Sequence, residues 1–144
     1  MKASDYFTQE RLATIDLAIK SAEKNTSGEI RLYIEDKCKE DVLDHAAFLF
    51  AELEMHKTEL RNGVLFYLAI KDRKFAILGD AGINSKVEKD FWNQIKEAMK
   101  LEFVKGDFTN GLQMGIRMTG EALAAHFPYQ KDDLNELSDD IIVK

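Results

Sequence analysis

Residues 62–79 read NGVLFYLAIKDRKFAILG, and this segment carries the strongest secondary-structure signal in the chain. Its first half, residues 64–70, is an unbroken apolar run, which is typical of a strand covered on both faces. Residues 71–74 form a short polar turn and residues 75–79 are apolar again, so the pattern predicts a β-hairpin. We therefore expect the strand over 64–70 to lie at the centre of a sheet.

The segments before the hairpin predict a helix, a strand and a second helix. Apolar residues recur at helical spacing over 12–22 and again over 42–53, while residues 30–34 alternate between apolar and polar side chains. A strand, a helix and a further strand in this order predict a parallel pair joined by a right-handed crossover.

The segments after the hairpin predict two more helices. Ser85 and Glu88 have the spacing of a capping box, and an apolar stripe follows them. A fourth stripe runs over 112–127, and Pro128 ends it. With helices before, between and after the strands, the predicted fold class is α/β, a three-layer α/β/α Rossmann-like sandwich with a small mixed sheet that combines a parallel crossover with the central antiparallel hairpin.

The length of 144 residues suits a single domain, which we assign to residues 1–128. Residues 129–144 are acidic and show no sustained periodicity, so we expect a flexible tail. Any protein partner is expected to bind through this tail. Its apolar end, residues 141–143, is interpreted either as disordered or as a short peptide that adds a strand to a partner.

Composition excludes several kinds of partner. The net charge is −6 and the basic residues are scattered, so nucleic acid is not expected to bind. No apolar run is long enough to cross a bilayer or to act as a secretion signal. The only cysteine, Cys38, cannot form an internal disulfide, and we predict a cytoplasmic monomer or weak oligomer.

Common catalytic signatures are absent from the sequence. It contains no phosphate-binding P-loop, no GxSxG nucleophile elbow and no HExxH zinc motif. His45, His56 and His126 are far apart in sequence, so we interpret them as surface or packed side chains. Cys38 lacks the arginine loop of a thiolate phosphatase and is interpreted as an incidental loop thiol.

Residues 79–82, Gly-Asp-Ala-Gly, are either a ligand-binding loop or a plain connection.

The predicted topology brings three carboxylates to one edge of the sheet. Asp36 follows the first strand, Asp72 lies in the hairpin turn beside Arg73, and Asp107 precedes the last helix. Ligands usually bind at the carboxyl edge of an open α/β sheet, and carboxylate oxygens suit Ca²⁺ or Mg²⁺. The alternative is that turn formation and helix capping alone selected these aspartates.

Three segments together resemble the TPM domain family, named for a thylakoid-lumen phosphatase, a photosystem II repair protein and a nematode receptor modulator. They are residues 62–74, residues 79–83, and residues 103–112 with their Lys-Gly-Asp-Phe core. The resemblance implies a Rossmann-like sandwich and, from some plant members, a calcium-binding acid phosphatase. It assigns catalytic roles to Asp72, Arg73 and Asp107. The sequence departs from the family pattern at Asp80-Ala81-Gly82-Ile83, and it looks like a short cytosolic subtype.

Two functional hypotheses follow. In the first, Asp36, Asp72 and Asp107 hold a divalent cation and Arg73 neutralises the charge of a phosphate monoester, with no other cofactor. In the second, the chain is a non-catalytic interaction module linked to the maintenance of membrane-protein complexes.

Overall fold

A mixed sheet lies at the centre of the computed structural model, which describes residues 1–130 and 141–144. Within these residues the sheet has four strands, in the order β3-β2-β1-β4. The strands are β1 (Glu29–Glu35), β2 (Gly63–Ala69), β3 (Lys74–Gly79) and β4 (Ile141–Val143). β1 and β2 are parallel, and β2 and β3 are antiparallel, so the predicted crossover pair and central hairpin are both confirmed.

Helices cover both faces of this sheet, which confirms the predicted α/β sandwich. They are α1 (Ala3–Tyr6), α2 (Gln9–Glu23), α3 (Val42–Glu52), α4 (Ala81–Asn84), α5 (Phe91–Val104) and α6 (Phe108–His126), with a 3₁₀ turn over Met55–Lys57. One core packs residues of α2, α5 and α6 against one sheet face, and a smaller core packs α3 against the other.

The two cores explain the apolar run of the hairpin. Every residue of β2 is buried: Phe66 and Leu68 face the larger core, while Leu65 and Tyr67 face the smaller one. Because successive side chains of a strand point to opposite faces, a strand buried on both sides loses the polar alternation that an exposed face would impose.

Polar side chains fix where several helices begin. Thr8 caps α2 as predicted, since its hydroxyl accepts a hydrogen bond from the Arg11 amide. Asp41 caps α3 by accepting from the amides of Leu43 and Asp44. These caps use amide donors that have no partner inside the helix.

The predicted capping box at Ser85 and Glu88 is wrong. Asp80 instead starts the short helix α4, and Ser85 lies at the end of that helix, where its hydroxyl donates to the Gly82 carbonyl. α5 begins only at Phe91, after Asp90. A serine hydroxyl bonds equally well to an orphan carbonyl and to an orphan amide, so the local sequence did not decide between the two helix ends.

The end of the expected flexible tail is an ordered strand. Ile141–Val143 pair in parallel with β1, and the Lys144 amide donates to the Ile34 carbonyl (2.8 Å). These apolar residues therefore extend the sheet of their own chain, in contrast to the predicted disorder or strand addition to a partner. The acidic residues Asp132, Asp133, Glu136, Asp139 and Asp140 lie outside the described residues.

No helix in the described part of the chain combines the length and apolar character needed to cross a membrane.

Candidate functional site

The chain segments that carry the predicted site residues meet at the carboxyl edge of the sheet. Parallel pairing continues past β1 and β2, because the Lys71 amide donates to the Asp36 carbonyl (2.8 Å). The loop between α5 and α6 reaches the same edge, since its Gly106 and the hairpin's Arg73 line one cavity. The end of β1, the hairpin turn and the loop between α5 and α6 therefore meet at one edge of the sheet, as the predicted topology required.

Two of the predicted carboxylates there are engaged in holding the backbone. Asp36 Oδ1 accepts a hydrogen bond from the Ala3 amide (2.7 Å), which fixes α1 to the end of β1. Asp72 Oδ2 accepts from the Cys38 amide (2.8 Å), which ties the hairpin turn to the loop after β1. Both bonds join segments that are far apart in sequence, so these aspartates hold tertiary structure and do not make the local turn bonds that the alternative interpretation required.

Asp107, the third predicted carboxylate, caps α6, because its Oδ1 accepts from the Asn110 amide (3.0 Å). Among residues 1–130 and 141–144 there is no group of three or more His, Cys, Asp or Glu side chains that could hold a metal ion. In this arrangement the three aspartates do not fit a Ca²⁺ or Mg²⁺ ion, and their metal role stays a prediction.

The cavity at this edge, which we call the carboxyl-edge pocket, has a volume of about 360 Å³. It lies between the hairpin turn, the loop between α5 and α6, and the start of the chain. Its lining residues are Met1, Ile70, Lys71, Arg73, Phe103, Val104, Lys105, Gly106 and Phe108. Among the residues that the structure describes, the lining contains three cationic side chains and no acidic one.

The cations differ in how far they are neutralised. Lys105 Nζ lies 3.1 Å from Glu102 Oε2, so part of its charge is already matched. Hydrogen bonds from Asn110 and from Lys105 hold the pKa of Glu102 below its usual value. The side chains of Lys71 and Arg73 are exposed and make no hydrogen bond or ion pair within the described part of the chain. These two are therefore the cations available to an anionic ligand.

Backbone conformation at the pocket is unusual at two positions. Arg73 has a φ of 54°, in the left-handed region that disfavours residues with a Cβ atom. Gly106, with a φ of 83°, ends α5, and a Cβ atom placed there would meet nothing within 4 Å. Strained non-glycine residues cluster at functional sites, which makes Arg73 the more informative of the two.

A second group of polar side chains lies on the α3 side of the sheet. Glu35 Oε2 accepts a hydrogen bond from the Tyr67 hydroxyl (2.6 Å) and lies 2.7 Å from His45 Nε2, while His45 Nδ1 lies 2.5 Å from Glu40 Oε1. Burial and the Glu35 carboxylate raise the pKa of Tyr67. Since carboxylates only accept, both His45 contacts are hydrogen bonds only when both ring nitrogens carry protons.

This Tyr-Glu-His-Glu chain links the loop after β1 to the start of α3. Buried Cys38 belongs to the same loop, and its thiol donates to the Glu40 carbonyl (3.3 Å). His45 is thus a packed histidine with two carboxylate partners, whereas His56 and His126 are exposed. The contacts are those of a loop clamp.

Sequence reasoning missed Lys71 and Lys105 as site residues. Both lie inside the segments that resembled the family, one residue before Asp72 and two residues before Asp107. The signal for them in the sequence is a basic residue in each of two loops that the predicted topology brings to one edge of the sheet.

The Gly-Asp-Ala-Gly segment has a structural role at the opposite edge of the sheet. Arg61 forms two bonds to the Asp80 carboxylate, of 2.7 and 2.8 Å, and the Ala81 amide donates to the same group. Burial alone would raise the pKa of Asp80, but the bonds from Arg61 and from Ala81 outweigh burial and hold the pKa low. A Cβ atom on Gly82 would lie 2.1 Å from the Leu60 carbonyl oxygen, so this glycine permits close backbone packing.

A further groove, of about 370 Å³, lies between α2 and α6. Gly120 and Ala22 both line this groove, and the two helices approach closely there. A Cβ atom on Gly120 would lie 2.6 Å from the Ala22 Cβ atom. Its charged lining residues, Arg117 and Glu121, are of opposite sign, so the groove favours neither anions nor cations.

Comparison with known proteins agrees with this architecture. The family model of the TPM domain matches residues 1–122. The NMR structure of the BA42 protein from the psychrophilic bacterium Bizionia argentinensis is similar over 99% of both chains, with 45% identity and a TM-score of 0.91. The N-terminal domain of the cg2496 protein from Corynebacterium glutamicum shares the fold, with 10% identity and a TM-score of 0.67, over 97% of this chain and 82% of that one. No curated protein matches the sequence. The family match and the 45% identity show that this chain belongs to the TPM domain family.

Proposed function

We propose that the protein binds the phosphate group of a phosphate monoester in the carboxyl-edge pocket, as a phosphatase-like TPM domain. One observation carries the proposal: Lys71, Arg73 and Lys105 line a single cavity in a chain whose net charge is −6. Basic residues are outnumbered in the chain as a whole, and the sequence alone showed no basic cluster. The pocket concentrates them where open α/β sheets bind ligands.

The chemistry of the lining suits a phosphate better than a metal ion. A phosphate monoester carries about −1.5 to −2 charges at neutral pH, and an arginine can donate two parallel hydrogen bonds to it. Within the described residues the Arg73 side chain is free to do so and the Lys71 ammonium is free to add a point charge, while Lys105 is shared with Glu102. A divalent cation in the same cavity would meet three positive side chains.

Binding can be tested by titrating the ¹⁵N-labelled protein with inorganic phosphate and with glycerol 2-phosphate at low ionic strength. We expect shifts confined to the amides of residues 70–73 and 103–108. Arg73→Gln should weaken binding about tenfold, the effect of losing one charge-assisted interaction. Lys89→Gln, which removes an exposed cation outside the pocket, is the matched control and should change nothing. Shifts scattered over the surface, or equal affinity in both variants, would contradict the proposal.

Catalysis is tested with p-nitrophenyl phosphate, assayed with and without calcium. Loss of hydrolysis in Asp72→Asn and in Asp107→Asn, with unchanged far-UV circular dichroism, would support catalytic roles for these residues. Rates equal to those of an active unaltered protein would rule these roles out. If the unaltered protein itself hydrolyses nothing, phosphate binding would be the whole activity.

The predicted cation is tested by thermal unfolding with calcium, magnesium or EDTA. A cation held by Asp36, Asp72 and Asp107 must stabilise the fold by mass action. A rise in melting temperature that Asp72→Asn abolishes would support the metal role. A melting temperature that none of these additions changes would reject the metal role, and the basic residues would then be the only groups proposed to bind a ligand.

The interaction-module hypothesis has one observation in its favour, the outer surface of α3. Leu43 and Phe48 are 47% and 58% exposed there, and Ala47 and Ala51 are exposed beside them. Apolar side chains grouped on one face of a helix are typical of protein contacts. Phe48→Ser should abolish capture of any true partner without changing phosphate binding; capture that survives the change would exclude this face.

A further inference from the structure

We infer that the carboxyl-edge pocket prefers phosphate monoesters whose organic group is aromatic. This inference rests on the proposed phosphate binding and adds the class of ligand. The same cavity that presents three basic side chains is also lined by apolar ones, among them Phe103, Val104 and Phe108. A ligand that fills the cavity must therefore be anionic at one end and apolar at the other.

The aromatic part of the lining is held rigidly by the core. The Phe103 ring packs edge-on against Phe75, with ring centres 4.8 Å apart, and at 5.4 Å from Phe108. Phe108 is itself buried and packs against Tyr6. Rings fixed in this way give a further ring a surface that is already ordered, so binding loses little side-chain freedom.

The rim of the cavity is apolar and exposed to solvent. Val104 and Met1 are 70% and 64% exposed, and both line the cavity beside the cations. A ligand with a polar organic group would leave these side chains in water. An aromatic group attached to the bound phosphate would cover them, which is favourable because apolar surface leaves water.

The size of the cavity limits the organic group. A volume of about 360 Å³ is near the lower end of small-molecule sites, so a single ring with its phosphate suits it better than a nucleotide or a longer chain. Phenyl phosphate is the simplest ligand of this kind. Glycerol 2-phosphate has the same anionic group on a polar stem, and phenol has the ring alone.

The experiment compares these three ligands by ¹⁵N-detected titration of the full chain. We expect phenyl phosphate to bind at least fivefold more tightly than glycerol 2-phosphate, and phenol alone to bind far more weakly than either ester. Val104→Ser should reduce the preference about threefold and leave the affinity for glycerol 2-phosphate unchanged. Leu101→Ser is the matched control, since Leu101 is 63% exposed on the same helix but outside the cavity lining.

The outcomes separate the inference from the function on which it rests. If both esters bind with equal affinity, and Arg73→Gln weakens both, phosphate binding stands and the aromatic preference is overturned. If neither ester binds, the proposed function fails and the inference fails with it. A preference that Val104→Ser does not change would also overturn the inference, because the ring would then lie elsewhere.

Discussion

Replacing Arg73 with glycine should stabilise the fold while weakening phosphate binding. The residue occupies the left-handed region with a φ of 54°, and its exposed side chain lines the carboxyl-edge pocket. Its backbone amide donates to the Ile70 carbonyl, a bond that glycine keeps. The substitution therefore removes backbone strain and a ligand-binding cation in one step, and the two effects have opposite signs for stability and for function.

The expected gain in stability follows from two terms. The left-handed conformation costs an L-residue about 1–2 kcal/mol, which glycine avoids. Glycine also makes the unfolded chain more flexible, which offsets about 0.5–1 kcal/mol of that gain. We expect a net increase of about 0.5–1 kcal/mol in the free energy of unfolding, or about 2–4 °C in melting temperature for a domain of this size.

Urea unfolding and phosphate titration on the same samples measure both effects. Glu54→Gly is the control, because Glu54 has a φ of 57° and lies outside the pocket lining. Its ion pair with Lys57 is exposed, so its loss should matter little. Both glycine variants should gain stability, and only Arg73→Gly should lose phosphate affinity. If Arg73→Gly is less stable than the unaltered protein while Glu54→Gly is more stable, the strain argument for the turn is wrong.

Three further predictions concern the stability of the fold away from the pocket. Gly82→Ala should destabilise the protein by about 2–4 kcal/mol, because the new Cβ atom would meet the Leu60 carbonyl and force the backbone apart; an unfolding midpoint equal to that of the unaltered protein would contradict this. Burial and the Glu35 carboxylate raise the pKa of Tyr67, so above about pH 10 this side chain ionises only in the unfolded chain. The free energy of unfolding should therefore fall with rising pH more steeply than in Tyr67→Phe, by up to about 1.4 kcal/mol per pH unit, as urea unfolding of both proteins would show. The lowered pKa of Asp80 contributes stability above about pH 4, the usual aspartate pKa, and this stability is lost as the pH falls through the folded-state pKa. Asp80→Asn should therefore be less stable than the parent at pH 7, and the difference should shrink on acidification, as urea midpoints from pH 7 downwards would show.

Much of the fold could be predicted because its signals are local. The unbroken apolar run over 64–70 follows directly from burial on two faces, and the turn after it has polar residues at each position. Ile141–Val143 escaped prediction because a strand of three residues has no periodicity to detect, and its pairing with β1 depends on a distant part of the chain. The capping box predicted at Ser85 was wrong because a serine hydroxyl can form a hydrogen bond at either end of a helix.

The candidate site was predictable in place but not in composition. Topology alone put Asp36, Asp72 and Asp107 at one edge, yet the direction of each carboxylate depends on which amide lies within reach. The grouping of Lys71 with Lys105 depends in turn on how the loop between α5 and α6 packs against the hairpin. The carboxylate directions and the grouping of the two lysines both depend on tertiary packing, which residue spacing in the sequence does not reveal.

Both ends of the described chain emerge at the carboxyl edge, and this bears on how the protein should be handled. Met1 lines the pocket, and the Lys144 amide is bonded to Ile34, two residues before Asp36. A polypeptide fused before Met1, including a polyhistidine affinity tag, would begin at the proposed ligand site and bring its own side chains and metal ions to it, whereas one fused after Lys144 would begin at the same edge of the sheet, next to β1. Tags should be cleaved before titration, or inserted in the exposed residues 88–90 before α5, where neither ligand affinity nor metal dependence would be disturbed.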